Sequence, residues 1–358
     1  MSRSPIRVLD LFAGAGGFAQ GFHEAHRGFR TVQAVEMDAA AAATFALNFP
    51  ESDVFAGRIQ DWLEAGQIPP NIDVIIGGPP CQGFSTLGKQ DVEDERNTLW
   101  EQYAETIRRV RPKVFVVENV AAFAKSPQFE LFHSMLENDP AFSEYSIEWQ
   151  ILNSADYGSP QARKRAVMIG HCSDVPKPVW PEPTHRAAPR TVEFAFQDVP
   201  HEVSYATLEP RTVEVGGVTF NGPYAGRELH VGRSYTELSR QRFASIPAGG
   251  NRFDIPYELL APCWRSHKSG SGDVMGRLHW KKPSVTIRTE FFKPEKGRYL
   301  HPVADRAITH HEAALLQGFP ADYQFVGTRS AIARQIGNAV PIQLGTAIAR
   351  AVAGALSS

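Results

Sequence analysis

Apolar and polar positions follow a regular succession through the first part of the chain. Short apolar runs, each closed by polar or glycine residues, are typical of buried parallel strands, and the segments between them carry the spacing of amphipathic helices. The predicted strands cover residues 6–11, 31–35, 54–56, 72–76, 113–117, 146–152 and 166–170. The clearest helices between them cover residues 39–48 and 99–109. This alternation predicts an α/β fold with a doubly wound, mostly parallel sheet.

The alternation stops at a proline-rich stretch, residues 176–189. A composition shift of this kind marks a domain boundary. Residues 190–300 hold few periodic runs and many glycine, arginine and aromatic residues, which is typical of loops and short strands. Helical patterns return towards the carboxyl end. We therefore predict a first domain made of residues 1–185 plus 305–358, and a second, smaller domain made of residues 186–304.

Composition narrows the class of protein. With 42% hydrophobic residues among 358, the chain can bury a sizeable core. The three cysteines form neither an even set nor a metal-ligand spacing, so the sequence predicts no disulfide and no metal site and suggests a reducing cytosol. No segment has the length of a membrane span or the pattern of a signal peptide, which predicts an intracellular protein without a membrane partner.

The charge of the chain is unevenly distributed. The formal net charge is only −2, but residues 227–298 contain 14 Lys and Arg against 7 Asp and Glu, a net charge of +7. A basic segment on an acidic body suggests that this segment binds a polyanion. The alternative is a solvated basic surface without a partner.

A glycine turn follows the first predicted strand. Phe12, Gly14 and Gly16 lie between this strand and a helix, where backbone N–H groups can approach a nucleotide-like ligand. The next strand ends in Glu36, twenty residues past Gly16, and an acid at this place typically binds ribose hydroxyls. Met37 follows and can lie against a flat ring, although packing is the commoner role of methionine. Glycine spacing also serves tight turns that bind nothing.

A cysteine follows the strand at residues 72–76. The sequence Gly-Gly-Pro-Pro leads to Cys81, and the two prolines hold this loop in a stiff, extended path. Cys81 is therefore a candidate nucleophile at the carboxyl end of a strand, where open α/β sheets bind ligands. The alternative is a small buried cysteine in a turn. Glu118 ends the strand at 113–117 and is predicted to share the same crevice, unless it only caps a helix.

Three cations occupy consecutive positions at Arg163, Lys164 and Arg165. In a strand, successive side chains point to opposite faces, so Arg163 and Arg165 are predicted to share one face and to address one anionic or carbonyl-bearing target. The alternative is an exposed basic strand edge.

Five motifs in this order resemble those of DNA (cytosine-5)-methyltransferases of the bacterial type. The matching segments are Asp10-Leu-Phe-Ala-Gly-Ala-Gly-Gly-Phe18, Gly78-Pro-Pro-Cys81-Gln-Gly-Phe-Ser85, Glu118-Asn119-Val120, Gln161-Ala-Arg163-Lys-Arg165 and Gly337-Asn338-Ala-Val340-Pro341. The resemblance covers nearly the whole chain outside the middle segment. It implies a Rossmann-like methyltransferase fold, S-adenosylmethionine as the methyl donor with S-adenosylhomocysteine as the product, no metal, and a target-recognition role for residues 186–304.

The resemblance also implies a set of cofactor-binding residues. Phe12, Gly14 and Gly16 would surround the donor, Glu36 would bind its ribose, and Met37 would lie beside the adenine. The wall of the pocket would be completed by Ile59, Pro80, Leu99, Asn338 and Val340. One position departs from the family pattern, since Arg58 stands where an aspartate is common. This departure leaves the contact to the adenine amine open, and Asp61 is a candidate replacement.

The implied chemistry explains why these residue types are needed. Cytosine C5 becomes nucleophilic only after a group adds to C6, and a thiolate such as that of Cys81 adds well. Glu118 would stabilise the charge at N3, Arg165 would hold O2, and Arg163 would fix Cys81 or the nucleotide. The target base must leave the duplex to reach this thiol, which implies base flipping.

Three alternatives remain open from the sequence. One is a tRNA cytosine-5 methyltransferase of the same fold, and another is a nucleotide-dependent oxidoreductase, which the glycine turn and Glu36 would permit. The third is a catalytically silent DNA-binding module, which an intact Cys81 disfavours. The preferred reading predicts a bacterial enzyme of the cytoplasm, associated with the nucleoid. It would act as a monomer on double-stranded DNA, with a cognate restriction nuclease as a further partner.

Overall fold

The computed structural model describes residues 4–26, 28–80, 99–266 and 269–357, and the chain divides into two compact units. The first unit comprises Met1–Tyr157, Arg163–Thr184 and Val340–Ser358. The second comprises Gly158–Ala162 and His185–Ala339.

A seven-stranded sheet organises the first unit. Its strands are β1 (Ile6–Leu11), β2 (Phe29–Glu36), β3 (Asp53–Ala56), β4 (Val74–Gly77), β5 (Val114–Val120), β6 (Tyr145–Asn153) and β7 (Lys164–Cys172). They lie in the order β3-β2-β1-β4-β5-β7-β6. Strands β1 to β5 are parallel, whereas β7 runs antiparallel to both β5 and β6. The predicted doubly wound, mostly parallel α/β fold is confirmed, and the order of the strands reverses between β1 and β4, where such sheets bind ligands.

Helices connect these strands and continue into the second unit. They are α1 (Gly17–Ala25), α2 (Ala39–Asn48), α3 (Ile59–Ala65), α4 (Leu99–Val110), α5 (Pro127–Asn138), α6 (Val192–Phe196), α7 (Glu237–Ala244), α8 (Pro262–Arg265), α9 (His310–Gln317), α10 (Arg329–Asn338) and α11 (Ile342–Ser357). Among the described residues, no single helix is long and apolar enough to cross a membrane, and the bent pair of α10 and α11 passes that test on length and composition alone.

The sheet of the first unit has an apolar core on each face, because successive side chains of a strand point to opposite sides. On one face, Ile75 of β4 packs with Trp62 and Tyr103, which belong to α3 and α4. On the other face, Val74 and Ile76 pack with residues of α1 and α11. Strands buried on both faces explain the uninterrupted apolar runs of the sequence.

The second unit contains short strands and loops joined by arginine side chains. Its strands are β8 (Thr212–Val215), β9 (Val218–Asn221), β10 (Tyr224–Ala225) and β11 (Gln324–Phe325). Its small apolar cluster includes Phe243, Ile246 and Leu300. The buried Arg277 donates to the carbonyl oxygens of Ile246 (3.0 Å), Phe243 (2.7 Å) and His301 (2.8 Å). Backbone carbonyls that regular structure leaves free are thereby satisfied.

Residues 305–339 belong to the second unit, whereas the sequence analysis assigns them to the first domain. The physical reason is backbone pairing within the second unit. Strand β11 pairs antiparallel with β10, and the N–H groups of Gly226 and Arg227 donate to the carbonyls of Tyr323 (2.8 Å) and Ala321 (2.7 Å). Only the last helix, α11, returns to the first unit.

Candidate active site

The glycine turn connects β1 to α1 with three residues of positive φ. Phe12 has φ 56°, Gly14 has φ 56° and Gly16 has φ 86°. The left-handed region is readily accessible to glycine and costs other residues about 1–2 kcal/mol. Among the residues that the structure describes, a side chain at Gly14 would meet no atom within 4 Å. Gly14 therefore borders open space beside the carboxyl end of β1.

Glu36 ties this turn to the end of β2. Its Oε2 accepts from the N–H of Gly14 at 2.8 Å, and its Oε1 accepts from the N–H of Asp38 at 2.7 Å. Burial raises the pKa of Glu36, and the backbone N–H groups of Asp38 and Gly14 oppose that rise. Each carboxylate oxygen can accept a further hydrogen bond. Glu36 thus has the capacity to accept hydrogen bonds from a pair of hydroxyl groups, and its role at a ribose stays a prediction.

Asp10 is a buried acid for which the sequence analysis predicts no role. Its side chain lies in β1 with 1% exposure, and its Oδ2 has no hydrogen-bond partner within the described ranges. Burial, followed by the charge of Glu36, raises the pKa of Asp10 well above its ordinary value. The position of Asp10 at the start of the first motif is the signal that could have identified it.

The end of β4 lies against the end of β5. A Cβ atom at Gly78 would be 3.1 Å from both the carbonyl oxygen and the Oε2 of Glu118. The side-chain amide of Asn119 donates to the carbonyl of Pro79 at 2.9 Å. Residues after β4 and residues near the carboxyl end of β5 are therefore brought together, as expected for neighbouring parallel strands. Cys81 itself lies outside the described residues.

Glu118 and Arg165 form a buried ion pair. The Nε of Arg165 is 2.5 Å from the Oε1 of Glu118, and the two side chains are 9% and 10% exposed. Arg165 also donates through Nη1 to the carbonyl of Lys164 at 2.8 Å. Burial lowers the pKa of Arg165, and the charge of Glu118 opposes that change. The contact arises because β7 runs antiparallel beside β5.

Arg163 lies directly before β7 and is 5% exposed. Its N–H donates to the hydroxyl of Ser154 at 3.2 Å, and its carbonyl accepts from the N–H of Ser154 at 3.0 Å. Arg163 and Arg165 are buried, while Lys164 between them is exposed. This alternation is the one that strand geometry predicts.

The other predicted cofactor residues lie at element ends. Ile59 begins α3 and Leu99 begins α4, and both are buried in one apolar cluster against which Phe12 packs. Met37 follows β2 and is 67% exposed. Pro80 follows β4 and is half-buried. The remaining two lie in different units, since Asn338 ends α10 in the second and Val340 precedes α11 in the first.

The residues of the first unit fit an adenosine-type cofactor. The open space at Gly14 would be narrowed by any side chain there, Glu36 retains acceptor capacity, and the Oδ2 of Asp10 has no partner among the described residues. Arg58 and Asp61 are both exposed. No group of three or more His, Cys, Asp or Glu residues that could hold a metal ion is found in the described part of the chain.

The basic segment of the second unit uses several of its arginines internally. Arg298 donates through Nη1 to the carbonyls of Gly249 (2.8 Å) and Gly250 (3.0 Å), and Arg252 donates to the carbonyl of Ser269 at 2.5 Å. Together with Arg277, these side chains hold loops in place. The charge excess of residues 227–298 is therefore only partly available to a partner.

Comparison with known proteins points to one family. The model of the C-5 cytosine-specific DNA methylase family matches residues 6–354. The chain is 34% identical to the type II methyltransferase M.XorII of Xanthomonas oryzae, over 97% of this chain and 83% of that protein. It is 33% identical to the type II methyltransferase M1.HphI of Haemophilus parahaemolyticus, over 97% and 86% of the two chains.

Solved structures show the same architecture. A prophage-encoded E. coli protein described as a DNA modification methyltransferase has a TM-score of 0.74 and 25% identity, covering 99% of this chain and 100% of its own. The Dnmt2 methyltransferase of S. pombe has a TM-score of 0.60 at 16% identity, with 98% of each chain covered, and this likeness concerns the fold alone.

Proposed function

Because this chain belongs to the C-5 cytosine-specific DNA methylase family and is a DNA methyltransferase, we propose that it methylates C5 of a flipped cytosine in a specific sequence of duplex DNA. In this proposal Cys81 adds to C6 of the base, and S-adenosylmethionine is the donor. We no longer consider the two alternative hypotheses of an oxidoreductase and of a catalytically silent binding module, because the family consists of methylases.

The cofactor is proposed to bind at the carboxyl ends of β1 and β2. It supplies an electrophilic methyl group on a sulfonium centre. Glu36, whose carboxylate oxygens keep free lone pairs, would accept from the ribose hydroxyls. Ile59 and Leu99 would line the adenine pocket together with Phe12. The glycine turn would let the backbone approach the ligand closely. Gly16, Met37, Pro80, Asn338 and Val340 remain predictions of the same kind.

The observation that carries the proposal is the ion pair beside the exit of β4. Glu118 is held by Arg165 through Oε1 at 2.5 Å, while its Oε2 lies near Gly78, three positions before Cys81. A carboxyl group fixed in this way is available to a base that approaches the loop after β4. The pairing also explains why the site uses arginine, whose guanidinium matches a carboxylate and still offers other N–H donors.

The chemistry assigns one task to each side chain. The thiolate of Cys81 forms a bond to C6, and Glu118 shares or gives a proton at N3, so that the ring electrons move towards C5. Arg165 donates to O2 of the base, and Arg163 fixes the nucleotide or the thiol. C5 then takes the methyl group. Loss of the C5 proton to water restores the C5–C6 double bond and expels the Cys81 thiolate, and return of the N3 proton to Glu118 brings the enzyme back to its starting form.

The partner is proposed to be double-stranded DNA, read by the second unit. The relatives M.XorII and M1.HphI are type II methyltransferases, which favours a role in DNA modification and a cognate restriction nuclease as a functional partner. We further propose that the enzyme acts as a monomer in the bacterial cytoplasm.

Incubation with methyl-tritiated S-adenosylmethionine tests the proposal. Duplex DNA and tRNA are supplied in separate reactions, and the labelled base is identified after hydrolysis. The proposal predicts label in the duplex as 5-methylcytosine. Label in tRNA alone would indicate the tRNA methyltransferase, and label at the cytosine amino group would contradict the role of Cys81.

A further inference from the structure

A cavity of about 140 Å³ lies within the second unit. Its polar lining includes Glu202, Arg233, Tyr235, Arg306 and Arg329, and we call it the arginine cavity. A single water needs only about 10–15 Å³ on the same measure, so this space admits a group of several atoms. None of these five side chains belongs to the site proposed for methyl transfer.

One of the three arginines is already neutralised. Arg306 donates through Nη1 to the Oε2 of Glu312 at 2.8 Å and through Nη2 to its Oε1 at 2.7 Å. This bidentate pair compensates the charge of the guanidinium. Arg306 therefore shapes the wall of the cavity without adding a net positive charge.

The other two arginines are not neutralised. The guanidinium of Arg329 donates to the carbonyls of Ala206 (3.0 Å) and Gly232 (2.9 Å), which fixes its position without removing its charge. None of the ion pairs formed among the described residues involves Arg329 or Arg233. Burial lowers the pKa of Arg329, Tyr235 opposes that change, and the charge of Arg233 adds to the lowering. Two cations thus lie close enough to repel each other at the same cavity.

Tyr235 adds a neutral donor. Its hydroxyl oxygen accepts from the N–H of Ala307 at 3.1 Å, and no described residue accepts from its O–H. The neighbouring His310 has its pKa lowered to about 4 by burial, so it is uncharged at neutral pH. The cavity therefore presents two guanidinium groups and one hydroxyl as donors, opposed by the exposed carboxylate of Glu202 at its rim.

We propose that the arginine cavity binds a phosphate of the DNA backbone, with Arg233, Arg329 and the hydroxyl of Tyr235 as its donors. A phosphate diester carries a negative charge and only acceptor oxygens, which matches this set of donors. Contacts of this kind fix the position of a protein on a duplex without reading its sequence. The proposal rests on the proposed function, because duplex DNA is the partner named there.

The test measures the affinity of the full chain for a short duplex by fluorescence anisotropy over a series of KCl concentrations. Arg233→Gln should weaken binding about tenfold for every sequence and reduce the salt slope by about one. Tyr235→Phe should weaken it less, because the hydroxyl carries no charge. Glu202→Gln should strengthen binding. The matched control is Arg30→Gln, at the start of β2, which removes the same charge and should leave the affinity unchanged.

Inorganic pyrophosphate is the second probe. It should compete with the duplex for the wild-type protein and compete less for Arg233→Gln. Equal duplex affinity and equal salt slope in the wild type and Arg233→Gln would overturn the proposal. If pyrophosphate nevertheless bound at the cavity while the duplex affinity stayed equal, the cavity would be a site for free phosphate. A wild type that binds duplex but transfers no methyl group would contradict the proposed function alone.

Discussion

Glu118 and Arg165 show how one side-chain contact depends on the whole sheet. The sequence predicts that Arg163 and Arg165 share a face, and burial of both with an exposed Lys164 agrees with that prediction. The sequence does not predict that Arg165 meets Glu118. This contact depends on the antiparallel register of β5 and β7, in which Glu118 lies opposite Val167. The local sequence does not determine the register between strands that are distant along the chain. Asp10 was missed because a single acid within an apolar strand carries no periodic signal.

The ion pair gives a prediction for stability. Arg165→Met leaves the buried carboxylate of Glu118 without its Nε donor, and the free energy of unfolding should fall by about 3–5 kcal/mol. Glu118→Gln should cost less, because the amide oxygen of the glutamine can still accept from the Nε of Arg165, although the buried guanidinium then lacks a counter-charge. Urea unfolding measures both changes. The double variant should lose less free energy of unfolding than the sum of the two single changes. Strict additivity of the two changes would contradict the pairing of Glu118 with Arg165.

Glu118 also gives a prediction for the rate of methyl transfer. Glu118→Gln removes the acid proposed to act at N3, and the rate of methyl transfer should fall at least about 100-fold. Glu105, a half-buried acid of α4 paired with Arg109, offers the matched control, and Glu105→Gln should retain the wild-type rate. Single-turnover transfer of labelled methyl groups measures both variants.

At the scale of elements, strands were easier to predict than helices. A strand buried on both faces is an apolar run in the sequence, and each predicted strand of the first unit is present. Helix α5 was missed, although Ser126 accepts from the N–H of Phe129 and a proline follows at the first helical position, which is a recognised start signal. The short helices of the second unit were missed because their stability comes from tertiary contacts such as those of Arg277.

The glycine turn is the element on which cofactor binding should depend. Gly14→Ala forces alanine into φ 56° and adds a methyl group to the open space, so the KM for S-adenosylmethionine should rise at least about tenfold with a loss of stability of about 1 kcal/mol. Gly66→Ala is the matched control, since Gly66 has φ 65° and equally open surroundings at the end of α3. It should show the same loss of stability with an unchanged KM.

At the scale of the molecule, the two units should respond to acid with opposite signs. In the second unit, burial lowers the pKa of His301 to about 3 and those of His310 and His311 to about 4. An unfolded histidine titrates near about 6.5. Below about pH 6.5 these histidines bind protons in the unfolded state but not in the folded state. The stability that the neutral, buried histidines confer is therefore complete above about pH 6.5 and is lost as the pH falls towards 4.

In the first unit the buried acids make the folded state more stable, not less stable, as the pH falls. The pKa values of Asp10 and Glu36 are raised, mainly by burial, so the folded state gains protons before the unfolded state does, and acid favours folding. Between pH 7 and pH 5 each buried histidine should cost the second unit about 2 kcal/mol. Hydrogen exchange should show α9 losing protection over this range while β1 keeps it. Parallel loss in both elements would contradict this assignment.

The division of the molecule was only partly predictable. The proline-rich boundary near residues 176–189 coincides with the change of unit at His185. The return of the chain was predicted at 305, but the second unit continues to Ala339. Helices α9 and α10 have the same local pattern as helices of the first unit, and their place depends on the pairing of β10 with β11, which joins residues about 100 positions apart.

The central claim is that Cys81 forms a transient bond to C6 of cytosine, and trapping that bond tests it most directly. Duplex DNA with 5-fluorocytosine at the target is incubated with the protein and S-adenosylmethionine, and the product is digested and analysed by mass spectrometry. Because fluorine cannot leave as a cation, the account predicts a stable adduct on the peptide that contains Cys81, absent in Cys81→Ser. Two results together would contradict the central claim. One is that the wild type forms no adduct, and the other is that Cys81→Ala methylates normal duplex at the wild-type rate.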